Sequence, residues 1–331
     1  MKERIMGKAV LLTMAIFALA ALVSCASLNA EKDLTPHSYV DVAEIPNFTV
    51  MVDGKSETVT AVEGCVVIDG YGYVAKVKNA KVGYLYRINL ETGEKMTMIN
   101  ADTGEANCLD LYHANDMAAF EMDGKQYIVV GTLSEMSDRA VVVLELIDAG
   151  DRQGFTQFRV DRKYAASFKG MYPLSAYGVE IVSVDGHKIG LLIKSGLDFY
   201  TGIMDYDSDS TRIAFKKSFS IKTSDVLLPD GNYVSVNLND YYQQGYTLHD
   251  GRLYVPFTRI KSEELSHSIV LVYDYNSDEA QKLPIMSETL LFQNPESTKF
   301  EIESFSFYDG KMYFSSNLNL PLVDGFHYFE F

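Results

Sequence analysis

The amino-acid sequence predicts an all-β protein built from repeated hairpins. Its 22 Tyr and 18 Phe residues, with no Trp, lie among short runs rich in Val, Ile and Tyr, and such runs favour strands. From residue 46 onward the apolar positions keep no sustained helical period. Hydrophobic residues make up 47% of the 331 residues and charged residues 22%, which is typical of a folded domain and excludes general disorder.

One pattern recurs along the chain: a short alternating run, the pair Asp-Gly, and a second apolar run. The five pairs, 54 to 65 residues apart, are Asp69-Gly70, Asp123-Gly124, Asp185-Gly186, Asp250-Gly251 and Asp309-Gly310. Asp-Gly between two alternating runs is a strong hairpin signal. With a second turn following in register, each repeat supplies about four strands, and four-stranded sheets repeated radially form a β-propeller. The sequence therefore predicts a propeller of five blades, with six as the alternative.

The last repeat supplies only three strands before the chain ends. We expect the upstream runs Asn47–Val52 and Thr58–Val62 to supply the missing outer strand, so that an N-terminal strand closes the ring and covers the last open edge. The predicted organisation is a signal peptide over 1–24, a flexible tether over 25–45 that begins with Cys25, and the propeller over 46–331.

Residues 1–24 have the form of a secretory signal. Three basic residues precede the apolar stretch Ala9–Val23, which is shorter than the roughly 20 residues that span a bilayer. The tetrapeptide Leu22-Val23-Ser24-Cys25 resembles the lipobox of bacterial lipoproteins. This resemblance implies cleavage before Cys25 and its acylation, for example with palmitate, and hence a lipid-anchored protein of the bacterial cell envelope, on its periplasmic side or at the cell surface. The alternative is an ordinary secretory signal with an incidental cysteine.

The net charge limits the possible binding partners, and the cysteines limit the possible disulfides. A net charge of −16 repels the phosphates of nucleic acids and of anionic lipids. Nucleic acid is therefore excluded as a partner, and attachment to the membrane must come from the acyl chains on Cys25. We expect a monomer. Once Cys25 is lipidated, Cys65 and Cys108 remain in a compartment that permits disulfides. They form either a bridge or two buried free thiols.

Metal and cofactor signals are weak. Asp205, Asp207 and Asp209 have the spacing of a calcium loop, but Ser210 stands where such loops need Gly and Lys216 where they need Glu. A solvated turn is the preferred interpretation, with a bound Ca²⁺ as the lesser one. We expect no other metal site and no cofactor.

In a propeller the innermost strand of each blade lines the central channel, so the residues at its beginning converge on one mouth. Counting back from each Asp-Gly pair to the beginning of the innermost strand gives a polar side chain at this position in every blade. The predicted ligand-binding ring consists of Glu63, His113, Asn115, Asp116, Glu180, Gln244 and Glu303. Such a concave polar ring orients a hydroxyl-rich ligand or holds a cation.

Three segments of this ring resemble motifs of helveticin-J-like proteins and related surface propellers of bacteria: His113–Met117, Gln244-Gly245 and Phe300–Glu303. The resemblance implies a five-bladed architecture. Two functions remain open. The preferred one is a non-catalytic propeller that binds a glycan or another envelope component, such as a protein, at its mouth. The alternative is a glycosidase that uses paired channel carboxylates.

Overall fold

The computed structural model describes residues 34–78, 82–133, 139–148, 155–169, 174–221, 225–235, 241–259, 267–275, 284–297, 299–318 and 322–331. The predicted signal peptide and Cys25 lie outside these ranges. The described residues form 26 strands and a single 3₁₀ turn at Leu109–Leu111, which confirms the all-β prediction. In these ranges, no helix is long and apolar enough to cross a membrane.

Five antiparallel units of four strand positions each form the body of the molecule, and residues 165–168 and 212–215 pair in parallel to join the outermost strands of the second and third units into one larger sheet. Blade 1 contains β4 (Ala61–Ile68), β5 (Tyr71–Lys78), β6 (Val82–Asn89) and β7 (Lys95–Thr97). Blade 2 contains β9 (Asp116–Met122), β10 (Lys125–Gly131), β11 (Val141–Ile147) and β12 (Gln157–Phe168). Blade 3 contains β13 (Gly178–Asp185), β14 (Lys188–Ser195), β15 (Asp198–Asp205) and β16 (Arg212–Ser220).

The innermost strand of blade 4 is split into β19 (Tyr241–Gln243) and β20 (Thr247–His249), followed by β21 (Arg252–Arg259), β22 (His267–Asp274) and β23 (Ile285–Gln293). Blade 5 contains β24 (Phe300–Tyr308), β25 (Lys311–Leu318), β26 (Gly325–Glu330) and the N-terminal strand β1 (Val40–Glu44). Outside the blades lie the hairpin of β2 (Phe48–Val52) and β3 (Lys55–Val59), the short β8 (Ile99–Asn100), and the hairpin of β17 (Asp225–Leu227) and β18 (Tyr233–Ser235).

Five apolar cores, each shared by two successive blades, close the ring. Four of them fill the gaps from blade 1 to blade 5 in order. The fifth joins blade 5 back to blade 1, where Tyr313 and Phe326 pack with Val74 and Ile88. Because the last core connects the first and last blades, the structure confirms the predicted five-bladed β-propeller.

The five predicted Asp-Gly hairpins all form, between the first and second strands of each blade. In four of them both residues have positive φ, as at Asp69 (49°) and Gly70 (80°), which is the geometry of a type I′ turn. A sixth such turn, at Asp53-Gly54, joins β2 to β3. This sixth hairpin pairs only with itself, so it does not add a sixth blade.

The prediction that an N-terminal strand closes the ring is confirmed, but the strand was wrongly chosen. Strand β1 pairs antiparallel with β26, and it lies within the segment predicted to be a tether. The runs Asn47–Val52 and Thr58–Val62 do not supply the outer strand, because the Asp53-Gly54 turn pairs β2 with β3 and Val62 already belongs to the innermost strand of blade 1.

The segment before β1 also contacts blade 4. The His37 backbone N–H donates to the Leu291 carbonyl oxygen at 2.8 Å, in a parallel bridge between Pro36 and Leu291. Further along, the Asp41 carboxylate lies 2.7 Å from Nδ1 of the buried His327. Residues 34–44 therefore tie the outer edges of blades 4 and 5 together.

This tie leads to a prediction about truncation. A chain beginning at Leu34 is expected to melt like the full-length protein, whereas a chain beginning at Ile45 loses β1 and leaves the β26 edge unpaired. The loss of several kcal/mol corresponds to a melting temperature lower by roughly 10 °C. Differential scanning calorimetry of both truncations measures this, and equal melting temperatures would show that β1 contributes nothing to closure.

The disulfide prediction is not borne out, since Cys65 and Cys108 are both free and buried. The reason is their position on opposite faces of blade 1. Cys65 belongs to the core shared with blade 5, and Cys108 to the core shared with blade 2. Burial raises the pKa of both thiols, which matches the alternative of two buried free thiols.

Candidate functional site

The mouth of the propeller is the end of the molecule at which the innermost strands begin, opposite the five Asp-Gly turns. The inner strands approach one another so closely there that only glycine fits at some positions. A Cβ on Gly178 would lie 2.4 Å from the Tyr246 ring, and one on Gly245 would lie 2.7 Å from the Asp116 carboxyl carbon. The sequence therefore places Gly where two blades meet at the axis, and polar residues beside it.

Asp116 lies inside the molecule and joins four blades. Its Oδ2 accepts hydrogen bonds from the backbone N–H groups of Val179 (3.0 Å) and Tyr246 (3.2 Å). Its Oδ1 accepts a hydrogen bond from the Ser304 hydroxyl. Burial raises the pKa of this carboxyl well above its ordinary value, against the effect of these donors. All of these contacts are with the protein's own groups on blades 3, 4 and 5.

Two other members of the predicted ring also serve internal contacts. The Asn115 side-chain amide donates to the Tyr177 carbonyl oxygen at 2.6 Å. Glu180 follows Val179 on β13, and its Oε1 accepts the Leu248 backbone N–H at 3.0 Å. Although part of the residue is exposed, its carboxyl is enclosed, and this burial raises its pKa to about 7.

The remaining predicted residues meet at one side of the mouth, between blades 1, 2, 4 and 5. We call this group the mouth cluster; it consists of Glu63, His113, Gln244, Glu301, Glu303, Lys299 and Asn317. It includes the predicted Glu63, His113, Gln244 and Glu303, whereas Asp116, Asn115 and Glu180 lie apart from it.

Glu301 is the member of the cluster whose two oxygens are both engaged. Its Oε1 accepts the Gln244 side-chain amide at 2.6 Å, and its Oε2 lies 2.8 Å from the Lys299 ammonium. Glu303 Oε1 accepts the Asn317 side-chain amide. Asn317 in turn accepts the Val62 backbone N–H through Oδ1 at 2.8 Å, so this side chain fixes blade 5 against blade 1.

Glu63 and Glu303 each keep one carboxylate oxygen without a hydrogen bond in the described part of the chain, and both oxygens are buried. Glu63 Oε2 lies 3.3 Å from Nδ1 of His113. This distance is short enough for an ion pair with a protonated imidazole, but the angles are not those of a hydrogen bond. The side chain of His113 is 42% exposed, whereas that of Glu63 is 3% exposed. His113 is thus the member of the pair that meets solvent.

The electrostatics of the cluster follow from burial and from like charges. Burial raises the pKa of Glu63, and the neighbouring His113 opposes that shift. Burial also raises the pKa of Glu303 well above its ordinary value, and repulsion by Glu301 and Glu63 adds to the effect. Since like carboxylates sharing one site cannot all ionise readily, the protonated form is favoured more strongly at Glu303 than at Glu63, where His113 opposes the shift.

The backbone on either side of His113 is strained. Tyr112 and Ala114 have φ values of 51° and 46°, a region that costs residues other than glycine of order 1–3 kcal/mol and is frequent at functional sites. The Arg139 guanidinium lies 4.9 Å from the centre of the Tyr112 ring, and the Gly64 backbone N–H donates to the Ala114 carbonyl oxygen at 2.7 Å. These contacts fix the chain on both sides of His113.

Sequence reasoning missed Glu301, Lys299 and Asn317. Glu301 and Glu303 are two residues apart on β24, and side chains at that spacing point to one face of a strand. This alternation could have identified Glu301. Counting from the Asp309-Gly310 turn would place Asn317 opposite Ile302, and a β-bulge between Ile302 and Ser304 shifts it by one residue so that it faces Glu301.

The segment with calcium-like spacing is a turn after β15. The Asp207 backbone N–H donates to Asp205 Oδ1 at 3.0 Å, and the Asp207 carboxylate lies 2.7 Å from Nδ1 of His187. Across the described ranges, no group of three His, Cys, Asp or Glu residues has the arrangement of a metal site. The turn matches the preferred interpretation, and calcium binding stays a prediction.

No known protein family and no curated protein matches this chain. Solved structures with a similar fold include a glycosyl hydrolase from Bacteroides ovatus (TM-score 0.47, 9% identity, 89% of this chain and 94% of that one). Another is an α-L-arabinanase mutant from Cellvibrio cellulosa (TM-score 0.47, 10% identity, 82% and 91%). A third is the catalytic domain of a GH62 α-L-arabinofuranosidase from Coprinopsis cinerea (TM-score 0.42, 10% identity, 89% and 97%). These are similarities of fold, and the resemblance to helveticin-J-like proteins stays a prediction.

The enclosed carboxyl of Glu180 leads to a prediction about pH. Because its pKa is raised from 4.5 to about 7, the folded state binds this proton more tightly than the unfolded chain. Its contribution to stability is greatest below pH 4.5 and declines as the pH rises to 7. Glu180→Gln keeps the acceptor for Leu248 but cannot ionise, so it is expected to gain stability relative to wild type between pH 5 and pH 8.

Urea unfolding at the two pH values measures the difference. The matched control is Glu121→Gln, at an exposed glutamate of β9, which is expected to differ from wild type equally at both. A Glu180→Gln variant that tracks wild type at pH 5 and pH 8 would show that the Glu180 carboxyl is not enclosed.

Proposed function

We propose that this propeller is a lipid-anchored glycosidase of the bacterial cell envelope, whose Glu63 and Glu303 form the acid and base pair. One observation carries the catalytic part of the proposal. Among the described residues, two buried carboxyl groups of one cluster each keep an oxygen without a hydrogen bond, and the only close partner of the free Glu63 oxygen is the half-exposed imidazole of His113. A buried polar atom without a hydrogen bond is costly. Groups arranged in this way therefore favour a role in chemistry or ligand contact over one in stability.

Cleavage of a glycosidic bond needs two carboxyl groups in different protonation states. One carboxyl must be protonated, so that it can give its proton to the leaving oxygen. The second must be ionised, so that it can activate a water molecule or attack the anomeric carbon. Repulsion by Glu63 adds to the raised pKa of Glu303, whereas the contact with His113 opposes the rise at Glu63. Glu303 is therefore assigned as the acid and Glu63 as the base.

The neighbouring groups fit supporting roles. The half-exposed His113 contacts Glu63 and can hold the ionised form of that carboxyl. Gln244, partly exposed, presents a polar side chain beside Glu301. Tyr242, at the mouth end of blade 4, is 59% exposed and offers an aromatic face of the kind on which sugar rings rest.

A second function, non-catalytic binding of a glycan or another envelope component, is favoured by a different observation. The side chain of Glu63 is 3% exposed, and Glu303 is 1% exposed as a residue. A substrate reaches these carboxyls only if neighbouring side chains move, among them His113 beside Glu63. A ligand that binds without being cleaved needs only the groups that already meet solvent, namely His113, Gln244 and Tyr242.

The experiment that separates the two functions is a screen of wild-type protein against a panel of oligosaccharides. Binding is measured by surface plasmon resonance, and cleavage by the appearance of new reducing ends. The glycosidase predicts that at least one bound oligosaccharide is shortened. A panel in which glycans bind but stay intact supports the binding protein, and a panel in which nothing binds contradicts both.

The anchor part of the proposal rests on the sequence Leu22–Cys25 alone. Acylation of Cys25 adds about 0.8 kcal/mol per buried methylene, and two chains suffice for stable attachment. This attachment needs no basic surface, which agrees with the strongly negative net charge of the chain.

A further inference from the structure

The innermost strand of blade 4 is interrupted at the mouth. Strand β19 ends at Gln243 and β20 begins at Thr247, and both strands pair with β21. The segment 244–246 between them lies opposite Pro256 of β21, and a proline has no backbone N–H to donate. This segment therefore leaves the ladder of its own blade, and its backbone groups need partners elsewhere.

Other blades supply those partners. The Gly245 backbone N–H donates to a carbonyl oxygen of β24 in blade 5 at 2.9 Å, and the Tyr246 backbone N–H donates to the Asp116 carboxyl of blade 2 at 3.2 Å. The Gln244 carbonyl oxygen accepts a hydrogen bond from the side-chain amine of Lys194, on β14 of blade 3, at 2.7 Å. Three different blades thus hold three successive residues at the mouth.

Lys194 is an expensive side chain to place at this position, because it is 0% exposed. Burial lowers the pKa of its amine from 10.5 to about 7, and the nearby Asp116 opposes that shift. Within the described residues, the amine donates one hydrogen bond, to Gln244, and lies 5.7 Å from the centre of the Tyr177 ring. An apolar side chain of similar length would avoid the cost of burying an amine. The contact with Gln244, and not stability, therefore accounts for a lysine here.

The residue that Lys194 holds also presents its side chain to the mouth. Gln244 donates one side-chain N–H to Glu301 Oε1 at 2.6 Å, and the residue is partly exposed. A carboxamide has a second N–H and a carbonyl oxygen, and both suit the hydroxyl groups of a sugar. Lys194 thus fixes the backbone of Gln244, while Glu301 fixes the end of its side chain.

We propose that Lys194 is a positioning residue of the mouth, which holds the Gln244 backbone so that the Gln244 carboxamide lies against Glu301 and meets a sugar hydroxyl. Lys194 acts through Gln244, since its own side chain is completely buried. The inference rests on the proposed function in so far as a glycan occupies the mouth, but the positioning itself can be measured in the free protein.

The first measurement is the hydrogen exchange of the Gln244 side-chain amide, followed by NMR in protein with selectively 15N-labelled glutamine. Gln244→Asn removes the resonance and so identifies it. The reference is Gln126, whose side-chain amide donates to the exposed Glu121 at 3.1 Å. We expect exchange at Gln244 to be at least tenfold slower than at Gln126 in wild type, and within threefold of it in Lys194→Met. Slow exchange that persists in Lys194→Met would overturn the proposal.

Lys76→Met is the matched control. Lys76 lies on β5 and is also 0% exposed, but its amine donates to Asp324 and to the Ile45 carbonyl oxygen. This variant is expected to melt at a lower temperature and to keep the slow exchange at Gln244. Fast exchange in both variants would show general loosening and would also overturn the proposal.

Calorimetry confirms that each variant is folded before exchange is measured. If Lys194→Met does not fold, Lys194→Arg takes its place, because a planar guanidinium cannot replace a single ammonium group. It is expected to give the same faster exchange at Gln244, and unchanged exchange contradicts the proposal.

The second measurement uses the oligosaccharide that the binding panel identifies. Lys194→Met is expected to raise both Kd and KM about tenfold while kcat stays within threefold of wild type, because a misplaced binding group weakens substrate and transition state alike. Gln244→Ala is expected to do the same, and the double variant to add little. Additive losses would overturn the claim that Lys194 acts through Gln244. If no oligosaccharide binds, the proposed function fails, whereas the exchange measurement still decides whether Lys194 positions Gln244.

Discussion

Replacing Asp116 by alanine is expected to cost several kcal/mol of folding stability, because each buried donor left without its acceptor costs about 1–3 kcal/mol. The substitution leaves the Val179 and Tyr246 backbone N–H groups and the Ser304 hydroxyl without their acceptor. These three donors belong to three different blades. A single truncation at the axis therefore loosens contacts around most of the ring.

Asp116→Asn separates lost hydrogen bonds from lost charge. An amide oxygen can still accept both backbone N–H groups, and the amide nitrogen can donate to the Ser304 oxygen, so this variant is expected to remain close to wild type in stability. Urea unfolding measures all three proteins, with Glu121→Ala on the exposed side of β9 as the surface control. If Asp116→Ala were as stable as Glu121→Ala, the contacts at the axis would not hold the blades together.

Replacing Glu303 by glutamine is expected to lower turnover of a cleaved glycan by about 10²-fold or more, while the dissociation constant changes little. The amide keeps the shape of the side chain but can neither donate a proton as an acid nor accept one as a base, and general acid–base catalysis contributes about 10²–10⁴-fold. Glu63→Gln is expected to act in the same way. The double variant is expected to be little slower than either single one, because the two groups act as a unit.

Glu301→Gln is the matched control for this pair. It removes a negative charge from the same cluster, but both Glu301 oxygens already have partners in Gln244 and Lys299. We expect its turnover to stay within tenfold of wild type. If Glu301→Gln were as slow as Glu303→Gln, the loss would reflect the charge of the cluster, and Glu303 would have no special role.

The sequence was sufficient to predict the repeat, because the hairpin signal is local. Asp-Gly favours a hairpin turn wherever it joins two alternating runs; a hairpin forms at this pair in all five blades, and four of the five turns have two positive φ values. The same local rule also explains the error at ring closure. The Asp53-Gly54 turn joins β2 to β3 and thereby removes both runs from the outer edge of blade 5.

The position of the site along the blades could be predicted, but the burial and the hydrogen-bond partners of its carboxylates could not. Counting along each blade identified the carboxylates near the axis, but it could not distinguish Asp116, whose donors lie 63, 130 and 188 residues away in the chain, from Glu303 in the mouth cluster. Whether the oxygens of a carboxylate accept hydrogen bonds from neighbouring blades depends on how those blades align. That alignment is set by close approaches such as the one at Gly245, which no local pattern contains.

The most direct test of the central claim is the fate of a glycan bound at the mouth. A radiolabelled oligosaccharide that binds the protein is incubated with excess wild type or with the Glu63→Gln/Glu303→Gln double variant, and the bound material is then recovered and sized. The account predicts that wild type returns shortened products with new reducing ends, whereas the double variant returns the oligosaccharide intact. Recovery of the intact oligosaccharide from wild type, under conditions in which it binds, would contradict the claim that this carboxylate pair cleaves glycans.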